Sequence, residues 1–221
     1  MGKQMKSKER NLAIIGCGEM AQEVYHLVMT SAEKANYDEV FFVDLEADEL
    51  RNVRSEEDFF NNWKVSSDAL IAMGEPAMRQ KVAAKYEAEG CSFATFVHPS
   101  AIVSPEAKLE PGVLVLPFSY IAQNTVIAKN TLIHAGAKIE NDCIVGAHCV
   151  ISVNTFIGAK TVVEDSCFVG PNAAIRDSLM IGANSIIGMG SNVTKSVEAE
   201  SVCYGNPAVR VRTNTTHRVF S

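Results

Sequence analysis

The chain has 221 residues, enough for one large domain or two modest ones, and its 47% hydrophobic and 21% charged content is ordinary for a soluble globular protein. A net charge of −6, with no basic stripe beyond the leader "GKQMKSKER", argues against a nucleic-acid footprint. No apolar run approaches the roughly 18 residues of a membrane span, the leader lacks the apolar stretch of a secretory signal, and six scattered cysteines fit a reducing compartment, so a cytoplasmic location is expected.

The first ninety residues have βαβ grammar. "NLAIIGCGEMAQEVYHLVMTSA" gives an apolar strand, a glycine turn and a helix; "EVFFVDLE" gives a second strand ending in an acid; "SDALIAMGEPAMRQKVAAKYEAEG" repeats strand, glycine and helix. This predicts a small parallel sheet of Rossmann-like type. Gly16, Gly18 and Ala21 form a GxGxxA turn, which lets amides at a helix N-terminus approach an anionic ligand. The bland reading of the same glycines is a tight turn. Asp44 stands where the acidic partner of a ribose would, yet no polar catalytic domain of a nicotinamide enzyme follows.

After residue 96 the grammar changes. Aliphatic residues fall six apart without a miss, from Val97, Val103 and Leu109 through Ile133, Ile139 and Val145 to Ile187 and Val193. Four places after each, the side chain is mostly small, as at Ala101, Thr125, Cys143, Cys149, Cys167 and Ser191. Prolines recur two places after the aliphatic residue at Pro99, Pro105, Pro111 and Pro117, where a fixed φ and a missing donor suit a corner. One large inward residue, one small inward residue and a corner describe a triangular parallel β-helix with three short strands per coil of about eighteen residues. About five coils fit between residues 97 and 193.

The stretch "HAGAKIENDCIVGAHCV" holds His134, Asp142, Cys143, His148 and Cys149, all metal-binding residue types. The hexad phase separates them. Cys143 and Cys149 occupy the small inward phase, with Cys167 one coil beyond Cys149, so no metal site is expected. His134 and His148 fall in outward or corner phases, His148 at a surface corner, and Asn141 with Asp142 at a corner. His26 is expected to pack in the first helix, His98 to serve the solenoid's first turn, and His217 to lie in a frayed tail.

Taken together, "IIGCGEMAQEV", "FFVD", "AMGEPAMR", "HPSA", the unbroken hexads and the ending "IIGMGSNVTKSV…YGNPA" resemble the bacterial sugar acyltransferases related to sialic-acid O-acetyltransferases and nucleotide-amino-sugar N-acetyltransferases. The resemblance runs from residue 12 to about 212. It implies a left-handed β-helix, an exception to the right-handed crossover rule, and a homotrimer with active sites between chains. It implies a nucleotide-linked sugar on the N-terminal domain, with Gly16, Gly18, Glu19 and Met20 near the sugar and diphosphate, Asp44 near the nucleoside, and Gly74 lining the same crevice. It further implies acetyl-CoA along the coils near the C-terminal end, held by Gly170, Pro171, Gly188, Gly190 and the loop Gly205, Asn206, Pro207 and Ala208.

One departure from the resemblance concerns chemistry. Members of that group commonly carry a histidine base followed by an acid where this chain has Asn141 and Asp142, and often a second histidine where it has Val150. His134 stands where relatives often carry asparagine. Acyl transfer needs the attacking group to lose a proton, which an imidazole can take and an amide cannot. Either His134 is the base while Asn141 and Asp142 position the acceptor, or a partly unprotonated sugar amine needs no strong base and positioning supplies most of the rate. A third possibility is lost turnover.

The expectation is an acetyl-CoA-dependent N-acetyltransferase for a nucleotide-linked amino sugar of bacterial glycan, without a metal. Sugar O-acetylation and a non-catalytic β-helix scaffold are the alternatives. The expected divisions are a flexible leader (1–11), a Rossmann-like domain (12–96), a left-handed β-helix acyltransferase domain (97–213) and a tail (214–221), with no nucleic-acid or membrane partner.

Overall fold

The computed structural model describes residues 10–220, so the first nine positions of the expected leader lie outside the described residues. The chain forms two compact units. One comprises the described residues up to Met73 together with Ala84–Ala94; the other comprises Gly74–Ala83 together with the chain from Thr95 onward.

The first unit is built on a parallel sheet in the order β3-β2-β1-β4-β5. Its strands are β1 (Asn11–Ile15), β2 (Val40–Asp44), β3 (Val53–Ser55), β4 (Ser67–Ile71) and β5 (Ser92–Phe93). Apolar runs such as "NLAII" and "ALI" are buried throughout, as strands covered on both faces must be. Helix α1 (Glu19–Thr30) buries Ala21, Val24 and Val28, the i, i+3, i+7 stripe of an amphipathic helix. His26 is exposed on this helix, contrary to the packing role expected for it, because it lies outside that stripe. Two elements had no strong sequence signal. β3 is three residues long and β5 two.

The second unit is a parallel β-helix. Strands of two residues run from Phe96–Val97 to Asn192–Val193, and every third strand pairs with the next in parallel, as in Tyr120↔Lys138 and Ile121↔Ile139. Three walls result, of six, five and six two-residue strands, the last extended to an eight-stranded sheet by Ser201–Gly205 and Ala208–Thr213. The aliphatic phase points inward: Ile121, Ile127, Ile133, Ile139, Val145 and Ile151 are fully buried. Val97, Val103 and Leu109 are only partly buried, since the first coil has no coil beneath it.

The small phase is a hydrogen-bond ladder. Thr125, Thr131 and Thr161 donate through Oγ1 to the carbonyl oxygens of Glu140 (2.8 Å), Gly146 (2.7 Å) and Arg176 (3.2 Å), each 15 residues ahead. Cys143, Cys149 and Cys167 place Sγ in the same relation to Gly158, Glu164 and Gly182. At these six positions a short side chain with a donor fills the space and satisfies a buried carbonyl, whereas Ala137, Ala173 and Val113, at the same phase, fill it without one. A third phase, three places after the aliphatic one, has positive φ, and it includes Phe118 (61°), Asn124 (57°), Asp142 (58°), His148 (60°) and Asn154 (55°). Asparagine suits this left-handed corner. The glycines following aliphatic residues have another cause: a Cβ on Gly158 would stand 2.5 Å from the backbone nitrogen of Asp177.

On one wall the outward residues are buried too: Leu114, Leu132, Val150 and Ile186. Arg79, in the helix Pro76–Ala88, is fully buried and donates through Nε to the Asn130 carbonyl at 2.7 Å. The Glu75 carboxylate accepts the amides of Val219 and Phe220, both at 3.0 Å, and Phe220 packs edge-on against Phe168. His217 contacts Glu200 at 3.1 Å. The described end of the chain is therefore tied down, where fraying was expected, because Glu75 supplies an acceptor for its amides.

Candidate functional site

The coil register decides which candidate residues share a corner. The amides of Leu116, His134, Ser152 and Gly170 bond in succession to the carbonyls of Ile133, Ile151, Val169 and Ile187, so these residues form one column along one edge of the β-helix. Gly188 continues it. His134 thus lies two coils, about 10 Å, from Gly170 and one coil more from Gly188. Pro171 and Gly190 belong to the same edge by sequence offset. Four of the residues proposed to hold the coenzyme therefore share an edge with the one histidine proposed for catalysis.

His134 is half-buried, and its Nδ1 accepts the backbone amide of Ala135 at 2.9 Å. With Nδ1 occupied as an acceptor, the neutral ring carries its hydrogen on Nε2, which makes Nε2 a donor.

Asn141 and Asp142 stand on the next corner, beyond the wall strand Lys138–Ile139. Asn141 donates through Nδ2 to Asp142 Oδ2 at 2.7 Å, and Asn124, one coil earlier, donates to Oδ1 at 3.1 Å. These two bonds, from Asn124 first and Asn141 second, hold the Asp142 carboxyl below its ordinary value on an exposed corner. Within one chain the structure does not bring His134 to this pair.

His148, expected at a surface corner, is only 7% exposed. Its phase is a corner, but this is the third corner, shared with Asn130, and that corner is covered by the segment carrying Arg79. The cysteines behave as expected: Cys143, Cys149 and Cys167 are buried, and burial pushes the Cys149 thiol well up, with its neighbour Cys167 adding to the effect. Among the described residues no group of three His, Cys, Asp or Glu could hold a metal ion.

At the C-terminal end the chain adds a hairpin, Ser201–Gly205 with Ala208–Thr213, and Asn206 and Pro207 form its turn. The ring of Tyr204 lies against Gly188: a Cβ there would stand 1.9 Å from the ring. Sequence patterning could not reveal this contact, since it depends on the hairpin folding back over the last coil.

In the first unit, Gly16 is buried with φ of 105° and donates its amide to Val43. Gly18 caps α1 without a side-chain bond, Glu19 is exposed in the first turn and Met20 is half-buried. Asp44 ends β2 and its Oδ1 accepts the Leu45 amide at 2.7 Å. A cavity of about 670 Å³ opens here, lined by Cys17, Asp44, Asp48 and Arg51 among others. The hydrogen bond to Asp44 pushes the Cys17 thiol up. Arg51 donates to the Cys17 carbonyl at 2.8 Å across 34 residues, a separation at which no sequence signal could have found it. Gly74, expected with these residues, belongs to the second unit.

Two family models match the chain: the PglD N-terminal domain over residues 11–86 and the GMPPB C-terminal domain over residues 127–218. Three solved structures share its architecture. The acetyltransferase domain of PglB from Neisseria gonorrhoeae FA1090 is 22% identical with a TM-score of 0.85, covering 92% of this chain and 100% of that one. The same domain in complex with acetyl coenzyme A is 22% identical at a TM-score of 0.75, with the same coverage of 92% and 100%. PerB from Caulobacter crescentus, in complex with CoA and GDP-perosamine, is 24% identical with a TM-score of 0.72, covering 91% of this chain and 97% of that one. No helix among the described residues is long and apolar enough to cross a membrane. The resemblance read from the sequence thus has its structural counterpart: over more than 90% of its length the chain has the fold of these acetyltransferase structures, and its parallel sheets fit a left-handed β-helix.

Proposed function

We propose that the protein is an acetyl-CoA-dependent N-acetyltransferase that acts on a nucleotide-linked amino sugar in bacterial glycan biosynthesis. The observation that carries this reading is the single edge that joins His134 to Gly170 and Gly188. An extended coenzyme arm laid along small residues and backbone amides of that edge, from the Gly205–Ala208 turn inward, would bring its thioester toward His134. Support comes from the shared fold, since one structure with this fold holds acetyl coenzyme A and another holds CoA with GDP-perosamine.

In the reaction the neutral sugar amine attacks the thioester carbonyl. A C–N bond forms, the C–S bond breaks, and the amine's proton leaves so that an amide and a free thiol result. His134 is the catalytic histidine in this scheme. With Nδ1 held by the Ala135 amide, its Nε2–H suits donation to the thioester oxygen as negative charge develops there. Service as a base would first require release of that bond. An amine acceptor tolerates this arrangement better than a hydroxyl, because a fraction of it is already unprotonated.

Asn141 and Asp142 then act as positioning groups for the acceptor. In a homotrimer with sites between chains, His134 need not meet the pair of its own chain. The N-terminal unit, read as Rossmann-like, would hold the nucleotide-linked sugar through Gly16, Gly18, Glu19, Met20 and Asp44, and the whole would work in the cytoplasm. Domain limits of 12–96 and 97–213 belong to the same reading.

The test is thiol release from acetyl-CoA with UDP- and GDP-linked amino sugars and their hydroxyl counterparts. Release with an amine acceptor is the expected result. Release with hydroxyl acceptors alone would move the assignment to O-acetylation, and binding without release for every acceptor would leave a scaffold.

A further inference from the structure

The cavity at the ends of β1 and β2 is unbalanced in charge. Asp44, Glu46, Asp48 and Glu49 line it, and Arg51 is the only cation among its lining residues. A diphosphate entering such a crevice meets repulsion from the carboxylates unless one group offsets it.

We propose that Arg51 is that group: the cation that binds the diphosphate of the nucleotide-linked ligand and gives the site its preference for diphosphates over bare nucleosides. The inference rests on the proposed reading of this unit as the nucleotide-sugar site. Its basis is how Arg51 is presented. Asp48 caps the short turn Glu49–Arg51, accepting the amides of Leu50 and Arg51 through its Oδ1. Asn52 closes that turn in the left-handed conformation, with φ of 56°, and its Nδ2 donates to the Val40 carbonyl at 3.1 Å. The loop is therefore clamped at both ends to the sheet. From it Arg51 Nη2 reaches the Cys17 carbonyl, in the middle of the turn Gly16-Cys17-Gly18. One of five guanidinium N–H donors is spent on that anchor. The remaining fork matches two phosphate oxygens in geometry and charge. Cys17 also lies against Asp44, so the same contacts tie the glycine turn to the strand end proposed for the nucleoside.

The test compares the full-length protein with Arg51→Ala and Arg51→Lys variants, using calorimetry for UDP and GDP and ligand-observed NMR for uridine and guanosine. Arg51→Ala is expected to weaken diphosphate binding about ten- to hundredfold, the range of a lost charge-assisted hydrogen bond. Nucleoside affinity should stay within about twofold, and the salt dependence of diphosphate binding should flatten. Arg51→Lys should recover part of the loss, since it restores the charge without the fork. Equal losses for nucleoside and diphosphate would overturn the proposal in favour of a loop clamp. Unchanged diphosphate binding in Arg51→Ala would overturn it outright. A wild-type protein that binds neither ligand class would instead fail the nucleotide-sugar reading itself, and the inference with it.

Discussion

Replacing Thr131 by valine tests whether the small inward phase of the β-helix is a hydrogen-bond ladder or only a space-filler. Thr131 is fully buried; its Oγ1 donates to the Gly146 carbonyl at 2.7 Å and accepts the Cys149 amide at 3.0 Å. Valine keeps the shape but strands both groups in the interior, at roughly 1–3 kcal/mol each. The added methyl returns about 1 kcal/mol, which leaves a net loss of about 3 kcal/mol. Serine keeps both bonds and gives up one methyl, about 1 kcal/mol. Thr131→Ser should therefore be the more stable variant by about 2 kcal/mol, roughly thirtyfold in the unfolding equilibrium. Urea unfolding at fixed protein concentration, with matched m-values, reads this difference directly. If valine equals or exceeds serine in stability, the phase is governed by volume alone and the ladder argument fails.

His134 and His148 should part company. His134→Ala is expected to lower kcat at least tenfold with little change in melting temperature. His148→Ala should do the reverse, since His148 is buried, with a loss of about 2 kcal/mol; equal, small effects on kcat from both would remove His134 from catalysis. Gly158→Ala should destabilise by more than about 3 kcal/mol or prevent folding, because the new methyl would meet the Asp177 backbone rather than a movable side chain. Gly18→Ala, with nothing within 4 Å of the new atom, should fold normally, and similar melting curves for the two would refute the close-approach argument. Asp142, whose carboxyl is held below its ordinary value, stabilises the fold fully above the ordinary aspartate range and loses that contribution as pH falls through the depressed value. A carboxyl-carbon NMR titration should move back up in Asn124→Ala, and an unchanged midpoint would show that the Asn124 bond has no such effect.

Much of the second unit was legible because its constraint is periodic. Ile121, Ile127 and Ile133 fall on three walls of one coil, and a side chain every six residues can be buried only one way when the coils stack. The left-handed phase is also present in the sequence, as Asn124, Asn130, Asn154, Asn172 and Asn184. The two histidines show where periodicity stops. His134 and His148 both follow wall strands at corners, and their phases predict exposure for both. His148 is buried because the third corner is covered by the segment carrying Arg79 and by the end of the chain, whereas His134 is half-buried. The same limit applies to Arg51, whose partner lies 34 residues away, and to Tyr204, which meets Gly188 only through the hairpin.

The sequence by itself determined the β-helix, its inward cysteines and the strand–turn–helix order of the first unit, because each is set by local spacing and by which side chains tolerate burial. The tertiary structure alone decided which corner each polar residue occupies. It placed His134 on the edge of Gly170 and Gly188 and set Asn141 with Asp142 one corner away. It also hid His148 and brought Arg51 to the glycine turn. Those outcomes depend on coil stacking and on the segments that fold back over the walls, and such contacts join residues whose separation carries no pattern along the chain.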